Sequence, residues 1–344
     1  MKKVHGVVTS DWHLGGNLSN ILGTEAISKQ IAEVKKIFDY CVMHSIKNFF
    51  MLGDLTDRVT IVDDYLIEIL RLLFTYEDIN FYFLLGNHDI ESRSKTSIDL
   101  LELLNSNKVF GSSVKLNKKR TGMLIEGIEC LFLPYIKSGE YPLPDQKNGK
   151  NGRLIFMHDG LKGSFNDNGT KYPVDNTIAR QPYDIVFSGH LHTHQTIKDV
   201  IIYPGSPYQT KDNESLPKGW LEFEAYYTSS NNLYVDWQFV HNTPSFILKK
   251  EVIKSEDDFK KLEKGYIYTL AVEKDVRVPL DLNQKYNIHK INNTSKITAL
   301  KEQIDLTSKI TPITGLLQYL KRQNLKEHDI KWCVNYIKEI IRNL

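Results

Sequence analysis

The sequence predicts an α/β fold, and three observations carry the prediction. Near the N-terminus, short apolar runs rich in β-branched residues alternate with segments of helical periodicity. Each of those runs ends at a glycine or at residues able to do chemistry. Beyond residue 108 the pattern changes to short strand-like runs separated by loops rich in Gly, Asn and Asp.

Residues 4–9 read as a buried strand. Residues 24–46 read as a helix, because Ile27, Ile31, Val34, Phe38 and Val42 recur at near-helical spacing and Thr24 offers an N-cap. Residues 49–52 and 81–85 read as strands ending at Gly53 and Gly86, with a helix over 61–75 between them. Strand, helix, strand, helix, strand implies a sheet with crossover helices packed on it. Further strands are expected at 123–126, 129–134, 153–157, 184–188, 197–203, 219–224 and 232–239. The loops at 137–152 and 163–176 are long for a compact domain, which points to function or mobility. A boundary is expected near 245, after Asn242-Thr243-Pro244. Strand-like runs follow at 246–253 and 266–273, then a polar stretch from 281 to 309 and terminal helices. The expected division is a main domain over 1–245, a small domain over 246–300 and C-terminal helices over 301–344. In the last helix Ile330, Cys333, Val334, Ile337, Ile340, Ile341 and Leu344 form one apolar stripe. That stripe packs either on its own domain or on a partner.

Composition excludes several classes. No apolar run approaches the ~20 residues of a membrane span. The N-terminus runs directly into a strand-like segment and is not read as a signal peptide. Cys41, Cys130 and Cys333 are odd in number and widely spaced, so no disulfide framework is expected and a reducing cytoplasm fits. The formal charge of +2 hides an asymmetry: residues 1–248 carry −4 and residues 249–344 carry +6. Two divalent ions would neutralise the front half, and the basic remainder could attract a phosphate backbone. Ordinary surface variation also produces charges of this size.

Chemistry gathers at the ends of five predicted strands. The motifs are Asp11-x-His13, Gly53-Asp54-x-x-Asp57, Gly86-Asn87-His88-Asp89, His158 and Gly189-His190-x-His192. Strand C-terminal ends are where open α/β sheets bind ligands. Without metal, such a cluster of carboxylates and imidazoles would be costly to desolvate; with metal, each becomes a ligand. Oxygen and imidazole donors without thiolate suit Mn, Fe or Zn rather than a structural zinc site. About seven candidates are too many for one tetrahedral ion and suit two, with a carboxylate shared between ions held ~3.5–4 Å apart.

These motifs, in this order over residues 4–192, resemble those of the calcineurin-like metallophosphoesterase superfamily. The resemblance implies a four-layer sandwich of two mixed β-sheets flanked by helices, with a small α+β capping domain and C-terminal helices. It implies that Asp11, His13 and His192 hold one metal, that Asn87, His158 and His190 hold the other, and that Asp54 bridges them. It further implies that His88 faces the scissile phosphate as an acid or electrostatic group. Asp89 would orient His88 as a carboxylate orients a catalytic imidazole, and Asp57 would stand behind the ligands. His5, His44, His194, His241, His289 and His328 match no motif and read as ordinary histidines; His194 is the nearest to one.

Local features narrow the substrate. Asp11-Trp12-His13-Leu14-Gly15 resembles the form found in SbcD-type DNA nucleases. So does Tyr203-Pro204-Gly205-Ser206-Pro207 followed by Lys218-Gly219-Trp220, most closely in phage recombination subunits. That resemblance implies a Mn-dependent exonuclease and endonuclease acting on DNA, with Mg, Fe or Zn as alternative ions. It also implies a homodimer, and an SMC-like coiled-coil ATPase partner gripped through Ile330, Val334, Ile337 and Ile341. Two rival readings stand beside it: a phosphatase or nucleotide phosphodiesterase of the same fold acting on a small substrate, and a non-catalytic scaffold around bound metal.

Overall fold

The computed structural model describes residues 2–57, 63–92, 95–96, 99, 101–102, 114–137, 150–167, 169–172 and 183–293. The first half of the chain forms β1 (Lys3–Thr9), α1 (Gly16–Leu22), α2 (Ala26–Met43), β2 (Asn48–Met51), α3 (Asp63–Thr75), β3 (Asn80–Leu84), β4 (Ile90–Ser92), β5 (Lys95–Thr96), β6 (Val114–Asn117), β7 (Thr121–Ile125) and β8 (Ile128–Leu133). The second forms β9 (Leu154–His158), β10 (Ile185–Gly189), β11 (Gln195–Ile197), β12 (Ile201–Tyr203), β13 (Lys218–Tyr227), β14 (Leu233–Asn242), β15 (Ile247–Ile253), β16 (Tyr266–Val272) and β17 (Asn287–Asn293). To within a residue, these elements lie in one compact unit made of residues 1–271 and 276–292.

Two mixed six-stranded sheets organise the unit, ordered β14-β13-β1-β2-β3-β6 and β11-β12-β10-β9-β8-β7. In the first, β1, β2, β3 and β6 run parallel; in the second, β8, β9, β10 and β12 do. The apolar runs are continuous because both faces of the central strands are covered. Phe50, Leu52, Tyr82 and Leu84 meet Phe132, Phe156 and Phe187 between the sheets. The alternate residues Phe49, Met51, Phe81 and Phe83 meet Val34, Phe38, Ile69 and Leu73 of the helices. Face-to-face aromatic packing fills the sandwich, with Phe50 and Phe156 centroids 4.3 Å apart. A three-stranded sheet, β15-β16-β17, follows in sequence.

α2 buries Ile31, Val34, Ile37, Phe38 and Cys41 along one face. Its end is earlier than the periodicity predicts. Ser45 adopts φ 56°, Ile46 N–H donates to Cys41 O at 2.8 Å, and Ser45 N–H donates to Val42 O at 3.1 Å. This is a Schellman stop built without glycine, so nothing in the composition announced it. The expected strand over 197–203 is instead a tight hairpin, β11 and β12, turning at Lys198 and Asp199 with φ of 52° and 55°. β6 and α1 were not expected, and β17 arises within the polar stretch after 281, where no alternation signals a strand. The C-terminal helices and the stripe from Ile330 to Leu344 lie outside the described residues. No helix among the described residues is long and apolar enough to cross a membrane.

Candidate metal centre

Five loops leave the C-terminal ends of β1, β2, β3, β9 and β10, the parallel strands at the middle of both sheets, and meet at one edge of the sandwich. The first two are zipped together. Asp11 N–H donates to Gly53 O at 3.1 Å, His13 N–H to Asp54 O at 3.0 Å and Leu14 N–H to Leu55 O at 3.1 Å. The backbone is strained where the motifs stand: Asp11, His13, Asp54 and His190 have φ of 56°, 44°, 53° and 86°. Non-glycine residues rarely adopt such angles, and they concentrate where function over-determines geometry. Trp12, between two motif residues, is buried against Phe38 and Phe49 and anchors the loop. Gly86 has no room for a side chain, since a Cβ there would stand 2.1 Å from Asp54 Oδ1.

Asp11, His13, Asp54, His158 and His192 are buried, Asn87 and His190 are half-buried, and His88 is exposed. His13 Nε2 lies 3.1 Å from His192 Nε2 and 3.6 Å from Asp54 Oδ2, with Asp11 Oδ1 3.9 Å from both imidazoles. His158 Nε2 lies 3.4 Å from the same Asp54 Oδ2 and 3.1 Å from Asn87 Oδ1, which is itself 2.8 Å from His190 Nδ1. One carboxylate oxygen therefore faces two donor groups, and its other oxygen accepts the His88 N–H at 2.9 Å. Donors ~2.1 Å from one cation and at right angles around it sit ~3 Å apart, so this spacing fits metal ligation. Asp11, His13 and His192, and likewise Asp11, Asp54 and His158, each offer ligand atoms within 4.8 Å of one another.

Electrostatics agree. Burial opposes charge on Asp54, but His158 outweighs it and holds the carboxyl well below the usual range. Burial also opposes charge on His158, yet Asp54 pushes its pKa up to about 10. In that pair a proton occupies the place a cation would take. His190 is pushed down to about 4 by burial and by His158, leaving a neutral imidazole with a lone pair to offer. The nitrogens facing away are also engaged. His158 Nδ1–H donates to Leu52 O at 2.6 Å, His192 Nδ1–H to Glu214 Oε1 at 2.8 Å, and His190 Nε2–H to the Tyr172 hydroxyl at 2.7 Å. These partners fix which nitrogen points inward.

One expectation changes. Asp89, expected behind His88, is fully buried and accepts from the N–H groups of Asp54 at 2.7 Å, Gly86 at 2.9 Å and Thr56 at 3.4 Å. It braces two motif loops against each other. The place beside His88 belongs to Asp57, whose carbonyl accepts the His88 Nδ1–H at 3.0 Å and whose Oδ1 is 3.3 Å from His13 Nδ1. His194 stands apart from the cluster: it donates from Nδ1 to Tyr203 O at 2.7 Å and stacks on Phe239. Glu214 and Tyr172 were missed because neither belongs to a motif, and only the folded chain brings them to the histidines.

Residues 7–194 match the calcineurin-like phosphoesterase family. The chain belongs to that family. This metallophosphoesterase thus combines the family's α/β fold with buried His/Asp clusters suited to divalent metal. Solved structures similar to the phosphoesterase include GAP50, the anchor in the inner membrane complex of Plasmodium, at 13% identity over 69% of this chain and 84% of that one, with a TM-score of 0.38. A hypothetical protein from Thermus thermophilus is 11% identical over 70% of this chain and 100% of its own, with a TM-score of 0.35. Vps29 from Chaetomium thermophilum is 12% identical over 70% and 99%, with a TM-score of 0.28. No curated protein matches the chain.

Proposed function

We propose that this phosphoesterase is a Mn²⁺-dependent DNA nuclease, the nuclease subunit of an SbcCD-like complex. In this reading Asp11, His13 and His192 hold one ion, Asn87, His158 and His190 hold the other, and Asp54 is shared. The two-metal part rests on Asp54 Oδ2, which lies 3.6 Å from His13 Nε2 and 3.4 Å from His158 Nε2. The nuclease part is supported by how the two segments of nuclease-like sequence pack. Ser206 N–H donates to His192 O at 3.1 Å, and Lys218 Nζ donates to the same carbonyl at 2.9 Å. The nuclease-like segments are thus bound into the support of a metal-site histidine.

Bound divalent ions would supply Lewis acidity toward phosphate oxygens and lower the pKa of water. The chain's own residues do the rest. His88 keeps Nδ1–H on the Asp57 carbonyl, so Nε2 is the nitrogen that can deliver a proton to the leaving oxygen. Its ring packs edge-on against His13, at 4.8 Å between centroids, which sets it beside the cluster rather than within it. Asp89 keeps the Asp54 and Gly86 loops in register. The SMC-like ATPase partner would be gripped by the stripe around Ile330, Val334, Ile337 and Ile341, and the chain would dimerise.

Purified protein incubated with end-labelled duplex and single-stranded DNA tests the reading. Degradation in Mn²⁺ that stops with chelator is the expected result. Turnover of a soluble phosphodiester with intact DNA would assign the small-substrate reading instead.

A further inference from the structure

A cleft of about 220 Å³, lined by none of the candidate metal ligands, opens between α1 and the sheet β15-β16-β17. Leu248 of β15 and Ile267 of β16 pack on Leu18 and Leu22 of α1. Two residues further along each strand the same sheet face turns polar, at Lys250 and Thr269. Lys290 and Asn292 of β17 extend the wall, with His289 beside them, and Asn17 and Ile21 of α1 close the other side. Asp212 completes the rim. It lies in the turn between Thr210 and Glu214, whose side chains hold the His192 ring. The cleft is thus separate from the metal centre but joined to it by one turn.

The polar side chains of this cleft are unspent. Thr269 is only 9% exposed, yet its hydroxyl bonds to no group among the described residues. Lys250 and Lys290 form no ion pair among the described residues. Nearby lysines do: Lys249 with Glu263 at 3.6 Å, Lys261 with Asp258 at 2.6 Å and Lys285 with Asp281 at 2.7 Å. Buried polar groups are normally bonded, so donors left free on one wall call for acceptors from a ligand. Two ammoniums are point charges suited to phosphate, and Thr269, Asn17 and Asn292 offer neutral donors to its remaining oxygens. A phosphomonoester carries about −1.5 to −2 charges at pH 7 with three acceptor oxygens, which matches two lysines better than the single charge of a diester does. Asp212 repels phosphate and suits a hydroxyl or amino group on the rest of the molecule. The volume falls below the ~300–1,000 Å³ of pockets for drug-sized ligands, which suits a phosphate and sugar lying along Ile21 with the base at the open side.

We propose that this cleft is a second ligand site of the phosphoesterase and takes a nucleoside monophosphate, with Lys250, Lys290 and Thr269 on the phosphate. Exonucleolytic cutting of DNA releases molecules of that class, so the site retains product one turn away from the metal centre. That source of the ligand rests on the nuclease reading above; the site itself rests on the cleft.

The test is calorimetric titration of the full chain, in chelator, with deoxyadenosine monophosphate, inorganic phosphate and deoxyadenosine. The monophosphate should bind at one site, more tightly than inorganic phosphate, and deoxyadenosine should not bind. Lys250→Gln and Lys290→Gln, both at exposed positions, should each weaken the monophosphate by ~5-fold, the upper end for an exposed ion pair. Thr269→Val keeps the side-chain shape and should also weaken it, whereas Lys254→Gln, exposed just beyond β15, should change nothing. No binding of the monophosphate, or binding unmoved by both cleft lysines, would overturn the site. Inorganic phosphate held as tightly as the monophosphate would overturn its assignment to a nucleotide. Lysine variants that weaken only a DNA oligonucleotide would assign the cleft to a strand backbone and overturn it too. Turnover enters none of these measurements, so a chain that fails to digest DNA would sink the nuclease reading and leave the site standing.

Discussion

Replacing Asp89 with Ala separates a bracing role from a catalytic one. The buried carboxylate accepts from Asp54 N–H at 2.7 Å and Gly86 N–H at 2.9 Å, with a longer contact to Thr56 N–H at 3.4 Å. Hydrogen bonds to a charged acceptor contribute ~1.5–3 kcal/mol each, and the two short ones set a loss of roughly 3–6 kcal/mol. Both short bonds end on the same oxygen, Oδ2, which the carbonyl of an Asn amide could replace, whereas Ala removes them altogether. At ~2–4 °C per kcal/mol for a domain of this size, the melting temperature should fall by roughly 10–20 °C. Both ligand loops would shift, so metal content should fall along with cleavage. Thermal denaturation followed by circular dichroism, with metal analysis of the same sample, reads all three quantities. A variant that melts like the parent, carries its full metal and has lost only turnover would refute the brace and restore Asp89 as the partner of His88.

The remaining predictions concern the cluster itself. His158 has its pKa raised in the folded chain, from an ordinary 6.5 to about 10, so the stability it gives the metal-free protein is complete below about pH 6.5 and is lost as pH rises through about 10. Mn²⁺ uptake at neutral pH should therefore release a proton, with apparent affinity rising by up to ~10-fold per pH unit; calorimetric titrations in buffers of different ionisation heat would detect no release if the assignment is wrong. His88→Gln should keep its metal and lose most cleavage, and loss of metal in that variant would contradict a role confined to proton delivery. Asp54→Asn should abolish binding of both ions, an outcome that native mass spectrometry reads directly. Gly86→Ala must place a Cβ 2.1 Å from Asp54 Oδ1 and 2.4 Å from Asp54 N, so metal binding should fail; retention of both ions at parental affinity would show that the loop has room to adjust.

The sequence by itself determined the alternation of apolar strands and helices, and the five motifs that follow the strands. Both are local properties. A strand buried on two faces must be apolar at successive positions, and residues just past its end are fixed in space by the strand they leave. That is why Asp11, Asp54, Asn87, His158 and His190 could be read in order and are found together. Tertiary structure alone decided the roles of residues whose partners are distant in sequence. Asp89 sits next to His88 in the chain, yet its carboxylate turns inward to a different loop, while Asp57 comes to His88 from 31 residues away. Glu214 and Tyr172 reach histidines 22 and 18 residues away. Their side chains are ordinary in type and carry no periodic signal, and only the packing of the loops gives each one a nitrogen to hold.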